Sequence, residues 1–139
     1  MKYVKVKLEK NARLPVRAHA SDAGYDLFAT RNIYIMPHGK VTADTGVHCE
    51  IPAGYFGDIR PKSGLLFNHN LATFGTVDSG YVGTIRVRII NLGSEPYEFH
   101  EGDKIAQMVI VPCLTDTLEI VEELTETERG EGGFGSTGR

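Results

Sequence analysis

Five stretches of this sequence carry glycine, carboxylate, hydroxyl and basic side chains where plain structural segments would carry few. In "RPKSGLLF", Arg60, Lys62 and Ser63 meet the backbone N–H groups of Ser63 and Gly64 at an expected helix start. Unpaired N–H groups and neighbouring cations there suit an anion, and a capped turn with two solvated cations is the structural alternative. "FGTVDSGYVGTIRV" reads as a hairpin, with Gly75 on the way in, Asp78-Ser79-Gly80 as the turn and Tyr81 leading into the next strand. A carboxylate such as Asp78 can serve as a general base or simply shape the turn. "SDAGYDLFA" puts Asp26 just after a glycine-bearing turn, and "EGDKIAQMVIV" places the amide of Gln107 in an apolar run, where it needs partners. The C-terminal "RGEGGFGSTGR" has five glycines among eleven residues. Alone it is too poor in apolar surface to order itself. Its arginines and hydroxyls (Arg129, Ser136, Thr137, Arg139) nevertheless suit phosphate oxygens, and Phe134 suits the face of a ring.

These groups need a scaffold, and its dominant period is two. "YVKVKL" alternates Val4, Val6 and Leu8 against Tyr3, Lys5 and Lys7, and "TIRVRII" alternates Ile85, Val87 and Ile89 against Arg86 and Arg88. "NIYIM", "KVTADT", "VHCEI", "YFGDIR", "YEF", "IAQMVIV" and "LEIVEEL" also read as strands. Turns at Pro37-His38-Gly39, Pro52-Ala53-Gly54, Asn91-Leu92-Gly93-Ser94 and Glu101-Gly102-Asp103 separate them. Many short strands without a long helical period predict an all-β sandwich, jelly roll or barrel. The one helical candidate is "SGLLFNHN", capped by Ser63.

At 139 residues, 41% apolar, the chain predicts one domain with a real core. A net charge of -3 argues against general nucleic-acid binding, while a nucleotide-sized anion needs only local positive charge. No run is long enough for a membrane span or apolar enough for a signal peptide, so the expected location is the cytoplasm. Cys49 and Cys113 read as buried thiols, and the five histidines show no zinc-ligand spacing. The acidic run Asp116 to Glu128, with six carboxylates, reads as a solvated strand and linker keeping Leu118, Ile120, Val121 and Leu124 on one side.

In order, "AGYDL", "RPKSGL", "GTVDSGYVG", "GDKIAQ" and "RGEGGFGSTG" resemble the five motifs of the trimeric dUTP diphosphatase (dUTPase) family, from about Ala23 to Gly138. The resemblance implies a distorted jelly-roll β-barrel with one short helix, assembled as a homotrimer whose sites draw on all three chains. It divides the chain into a nucleotide-binding body, 1–128, and a flexible lid, 129–139. The implied activity is hydrolysis of dUTP to dUMP and pyrophosphate, assisted by Mg2+ held by the triphosphate and waters, with no direct protein ligand. Such an enzyme keeps uracil out of DNA and supplies dUMP for thymidylate synthesis. By the resemblance, Asp78 is the base that activates water against the α-phosphorus, and Tyr81 packs under the deoxyribose and excludes a 2′-hydroxyl. Backbone from Ala72 to Gly83, Gly75 and Val77 included, reads the uracil edge and leaves no room for a 5-methyl group. Lys62, Ser63, Gly64 and Gln107 hold phosphates, and Asp26 organises the waters around Mg2+. From the lid, Arg129 reaches the γ-phosphate, Phe134 stacks on uracil, and Gly135, Ser136 and Thr137 complete the substrate contacts. Lys62 stands where many members have Arg, and Ala72 where some have Asn.

Two other readings share part of this pattern. A homologous dCTP deaminase would need a glutamate at the base, and none lies between Gly75 and Asn91. A nucleotide-binding regulatory protein would act through partner surfaces that leave no motif.

Overall fold

The structure, a computed structural model, describes residues 3–138. Ten strands and one helix follow in the order β1 (Lys5–Leu8), β2 (Gly24–Phe28), β3 (Ile33–Ile35), β4 (Lys40–Asp44), β5 (Val47–Glu50), β6 (Tyr55–Arg60), α1 (Ser63–His69), β7 (Leu71–Val77), β8 (Arg86–Asn91), β9 (Tyr97–Phe99) and β10 (Lys104–Pro112). A six-stranded antiparallel sheet, ordered β2-β10-β6-β7-β8-β4, curls around the core, and two-stranded sheets β1-β5 and β3-β9 accompany it. This is the expected β architecture, a half-barrel of the jelly-roll kind with one short helix.

Alternation decides which face each strand buries. On β8, Val87 and Ile89 are buried and Arg86 and Arg88 are exposed, as their period requires. Leu27, Ile59, Leu71, Ile85, Ile105 and Phe99 fill the interior with them. Burying side chains of this size contributes about 1.5–3 kcal/mol each, which offsets the entropy of ordering short strands. The four predicted turns all separate strands as expected, with Gly54 and Gly102 at positive φ.

Several expectations are corrected. Gly24, expected in a turn before Asp26, instead opens strand β2, and Asp26 lies inside that strand. Lys62, not Ser63, is the N-cap of α1, and no side chain caps it. Leu8 is exposed at the end of β1. "LEIVEEL" forms no strand, because nothing in its own chain pairs with it. Leu118, Ile120 and Leu124 consequently lie in solvent with no shared apolar side. Cys49 is buried, which pushes its thiol pKa up, whereas Cys113 is only half-buried. Among the described residues no helix is long and apolar enough to cross a membrane.

Candidate active site

Strand β10 lies between β2 and β6, and its register brings three motifs to one point. Gln107 stands opposite Asp26 on β2 and opposite Arg60 on β6. Asp26 is 1% exposed, and a carboxylate so deeply buried is tolerated only when its charge is matched. Lys62 Nζ donates to Asp26 Oδ1 at 2.5 Å. Lys104 Nζ lies 3.0 Å from Oδ2 but off hydrogen-bonding alignment, so that contact is ionic. The Gln107 amide donates to the Pro61 carbonyl at 2.9 Å and fixes the chain just before Lys62. A Cβ at Gly24 would overlap that amide, so only glycine lets Gln107 lie across β2.

A cleft of about 340 Å³ opens beside this cluster, lined by Lys62, Gly64, Leu65, Asn68, His69 and Lys104. Two ammonium groups border it, and one buried carboxylate sets their position. Arg60 is not part of it, since it points outward to Asp58 at 3.5 Å. Ser63 is exposed on the first turn of α1. The sequence reading missed Lys104. Its signal was present in "GDKIAQ", three residues before Gln107, but the carboxylate that gives it meaning lies on a distant strand.

The other predicted group gathers at the opposite end of β6. Strand β7 pairs with β8 only over Leu71–Phe74, and its last residues, Gly75 to Val77, pair with β6 instead. The predicted hairpin therefore opens early into a loop, and Tyr81 lies in that loop, since β8 begins only at Arg86. One backbone edge of Gly75–Val77 is left unpaired on the side that β8 has vacated. The Val77 side chain is buried in the core, so only its backbone can meet a ligand. Asp78 follows, exposed, and its carbonyl accepts the Tyr81 N–H at 3.0 Å. The Tyr81 hydroxyl donates to the Thr84 carbonyl at 2.8 Å, and the ring lies over Gly83, where any Cβ would strike it.

These two groups do not meet within one chain. Val77 faces Gly57 and Gln107 faces Arg60 across β6, with Asp78 beyond the first pair and Lys62 beyond the second. At about 3.3 Å per strand residue, Asp78 and Lys62 lie about 20 Å apart. The tail is a third separate group. Arg129 Nε donates to its neighbour Gly132 at 2.7 Å, Ser136 N–H donates to Gly133, and Phe134 is fully exposed at positive φ. Arg139 lies outside the described residues.

The family model for dUTPase matches residues 10–138, which include both ends of β6 and the tail. The chain belongs to the dUTPase family. A deoxyuridine 5'-triphosphate nucleotidohydrolase of Clostridium novyi is 48% identical over 99% of both chains. A mutant dUTPase of Staphylococcus bacteriophage 80alpha, solved with dUpNHpp, superposes with a TM-score of 0.94 at 34% identity, covering all of both chains. A mutant dUTPase of phage phi11 of S. aureus, described for its coordination of a structural Mg(II) ion, has a TM-score of 0.82 and 33% identity, covering 88% of this chain and 98% of its own. The dUTPase fold thus holds over the whole described chain, and the motif residues fall at its two ends and its tail.

Proposed function

We propose that the protein hydrolyses dUTP to dUMP and pyrophosphate, at sites that each combine the Lys62 end of one chain, the Asp78 end of a second and the tail of a third, in a homotrimer. The observation that carries this reading is the division of the motif residues between opposite ends of β6. A general base must come within about 3 Å of the water it activates. No triphosphate spans about 20 Å of strand to meet both groups in one chain. The apolar side chains of residues 114–124, exposed in the single chain, support an assembly that covers them.

In that site Asp78 would accept the proton of the water that attacks the α-phosphorus. The new bond is P–O to water, and the bond that breaks leads to pyrophosphate. Asp78 is exposed at the end of a buried strand, so its carboxylate is free to reach a ligand while its backbone is held. Tyr81, folded onto Gly83, presents a flat ring against which a deoxyribose would pack without room for a 2′-hydroxyl. The unpaired backbone of Gly75–Val77 would bond the uracil edge, and Ala72, near the start of β7, leaves that role to the main chain. Rejection of a 5-methyl group follows from close packing there.

Lys62, Lys104, Gln107, Ser63 and Gly64 would bind the phosphates and favour charge developing on the leaving pyrophosphate. Mg2+ would arrive on the triphosphate and supply further charge neutralisation there. Asp26, which aims the two lysines in this structure, would also help organise the waters around that Mg2+. The tail, residues 129–139, would close as a lid over the body, 1–128, with Arg129 on the γ-phosphate, Phe134 over uracil and Gly135, Ser136 and Thr137 along the phosphates. The product would feed thymidylate synthesis, and removal of dUTP would keep uracil out of DNA.

Pyrophosphate release with Mg2+ from dUTP, dTTP, UTP and dCTP in parallel tests the assignment. Release from dUTP alone is expected. Equal release from UTP would remove Tyr81 from sugar selection, and a uracil product from dCTP would point to deamination instead.

A further inference from the structure

Between Val77 and Arg86 the chain leaves the sheet, yet this is the segment that carries Asp78 and Tyr81. Two side chains from other elements tie it down. His48 on β5 contacts the Val82 carbonyl through Nδ1 at 2.8 Å and the Glu9 carboxylate through Nε2 at 2.7 Å. Thr84 Oγ1 donates to the same Glu9 oxygen at 2.9 Å. The Thr84 carbonyl in turn accepts the Tyr81 hydroxyl. The connection therefore runs from His48 and Glu9 through Val82 and Thr84 to the tyrosine.

Both short contacts of His48 are to acceptors, and the Thr84 hydroxyl, 3.3 Å from Nε2, gives its one proton to Glu9 at 2.9 Å. A carbonyl offers no proton, so Nδ1 must carry one, and a carboxylate at 2.7 Å from Nε2 calls for a second. A neutral imidazole would turn a lone pair toward Glu9. We propose that His48 is a positioning residue for the nucleotide site: as an imidazolium it clamps the loop bearing Tyr81 and Asp78, and loss of its proton to solvent releases the clamp and weakens nucleotide binding. The proposal rests on the reading that Tyr81 carries the deoxyribose.

The surroundings agree with the geometry. The Val82 carbonyl first, and Glu9 next, hold the His48 pKa above its ordinary value, while hydrogen bonds from His48 and Thr84 hold Glu9 below its own. Lys7, opposite His48 across the β1-β5 pair, pulls the other way and is the weaker influence. Lys5 and Glu50 line the adjoining hollow, and the loop presents only a carbonyl and a hydroxyl. Because the folded pKa is raised, the clamp is complete below the ordinary imidazole value and is lost as pH rises through the higher folded value.

The test is KM and kcat for dUTP from roughly pH 6 to 8.5, the range in which histidine titrates, in the wild type, His48→Gln and Glu9→Gln. At the acid end His48→Gln is expected to raise KM about 3- to 10-fold, the effect of losing a charge-assisted hydrogen bond, with kcat little changed. The ratio of variant to wild-type KM should fall toward one with rising pH, and taking the ratio cancels ionisation of the substrate. Glu9→Gln, an exposed change, should move the wild-type rise in KM to lower pH. A ratio constant with pH, or an unmoved rise in Glu9→Gln, would overturn the clamp. Hydrogen exchange at the Tyr81 and Ile85 amides, which donate to the Asp78 and Val47 carbonyls on either side of the clamped residues, needs no turnover and separates this proposal from the functional one. A protection factor, taken against the base-catalysed intrinsic rate at each pH, that falls as the His48 ring signal titrates supports the clamp, and a pH-independent one refutes it, whether or not dUTP is hydrolysed.

Discussion

The two ends of β6 hold their functional side chains by opposite means. At the Arg60 end, register does the work: three adjacent strands set Asp26, Gln107 and the approach to Lys62 in place, and a buried carboxylate fixes two lysines. At the Gly57 end β7 leaves the sheet while β6 and β10 stay paired, and Asp78 and Tyr81 hang on a loop held by a few hydrogen bonds. Each end depends on one glycine against a functional side chain, Gly24 under Gln107 and Gly83 under Tyr81. Cations that must hold a highly charged ligand benefit from a stiff mount. If, as proposed, Asp78 and Tyr81 meet the ligand of a neighbouring chain, they need a mount that can adjust.

This contrast predicts different failures at the two ends. The largest effect is expected from Asp78→Asn, which should lower kcat by about 10²–10⁴ while leaving dUTP binding and Tm close to wild type; undiminished turnover would remove Asp78 from the chemistry. Ending the chain at Glu128 should cost about 10²-fold in kcat/KM, the scale of misplaced binding groups, with the same oligomer by sedimentation. A truncated chain that unfolds or falls to monomers would make the tail structural. Gly24→Ala should drive Gln107 off Pro61, destabilise the fold by about 1–3 kcal/mol and raise KM, since overpacking at a stiff end has nowhere to relax. Gly83→Ala, on the loop, should raise KM for dUTP with a smaller change in Tm; equal Tm losses would erase the distinction between the ends. The smallest effect is expected from Lys104→Met, about 1 kcal/mol of stability because Lys62 still faces Asp26, with a modest rise in KM. Thermal melts beside steady-state kinetics check all of these.

The parts of the fold legible in the sequence are those where a strand's pattern is its own. The Val87/Ile89 alternation and the Pro52–Gly54 turn speak for themselves. β2 was not legible as a strand because its inward positions include Gly24 and Asp26, and what makes them tolerable, Gln107 and two lysines, comes from other elements. "LEIVEEL" failed in the other direction, since its pattern suits a strand but its own chain offers no edge to pair with. The order of the motifs identified the family and the residue types, but motif order says nothing of distance along β6. Lys104 and the His48–Glu9–Thr84 network escaped for a related reason: a lysine or a histidine acquires its role from a carboxylate far away in sequence.

The central claim is that one site takes its two ends from different chains, and mixing two disabled variants tests it most directly. Asp78→Asn spoils one end and Lys62→Gln the other, so each alone should be nearly inactive. If three chains share their sites in a closed ring, trimers reassembled from an equal mixture contain one intact site whenever both variants are present. Turnover should then recover to about a quarter of wild type. No recovery from a mixture shown to form mixed trimers would mean that both ends serve the same chain, and would contradict a site shared between chains.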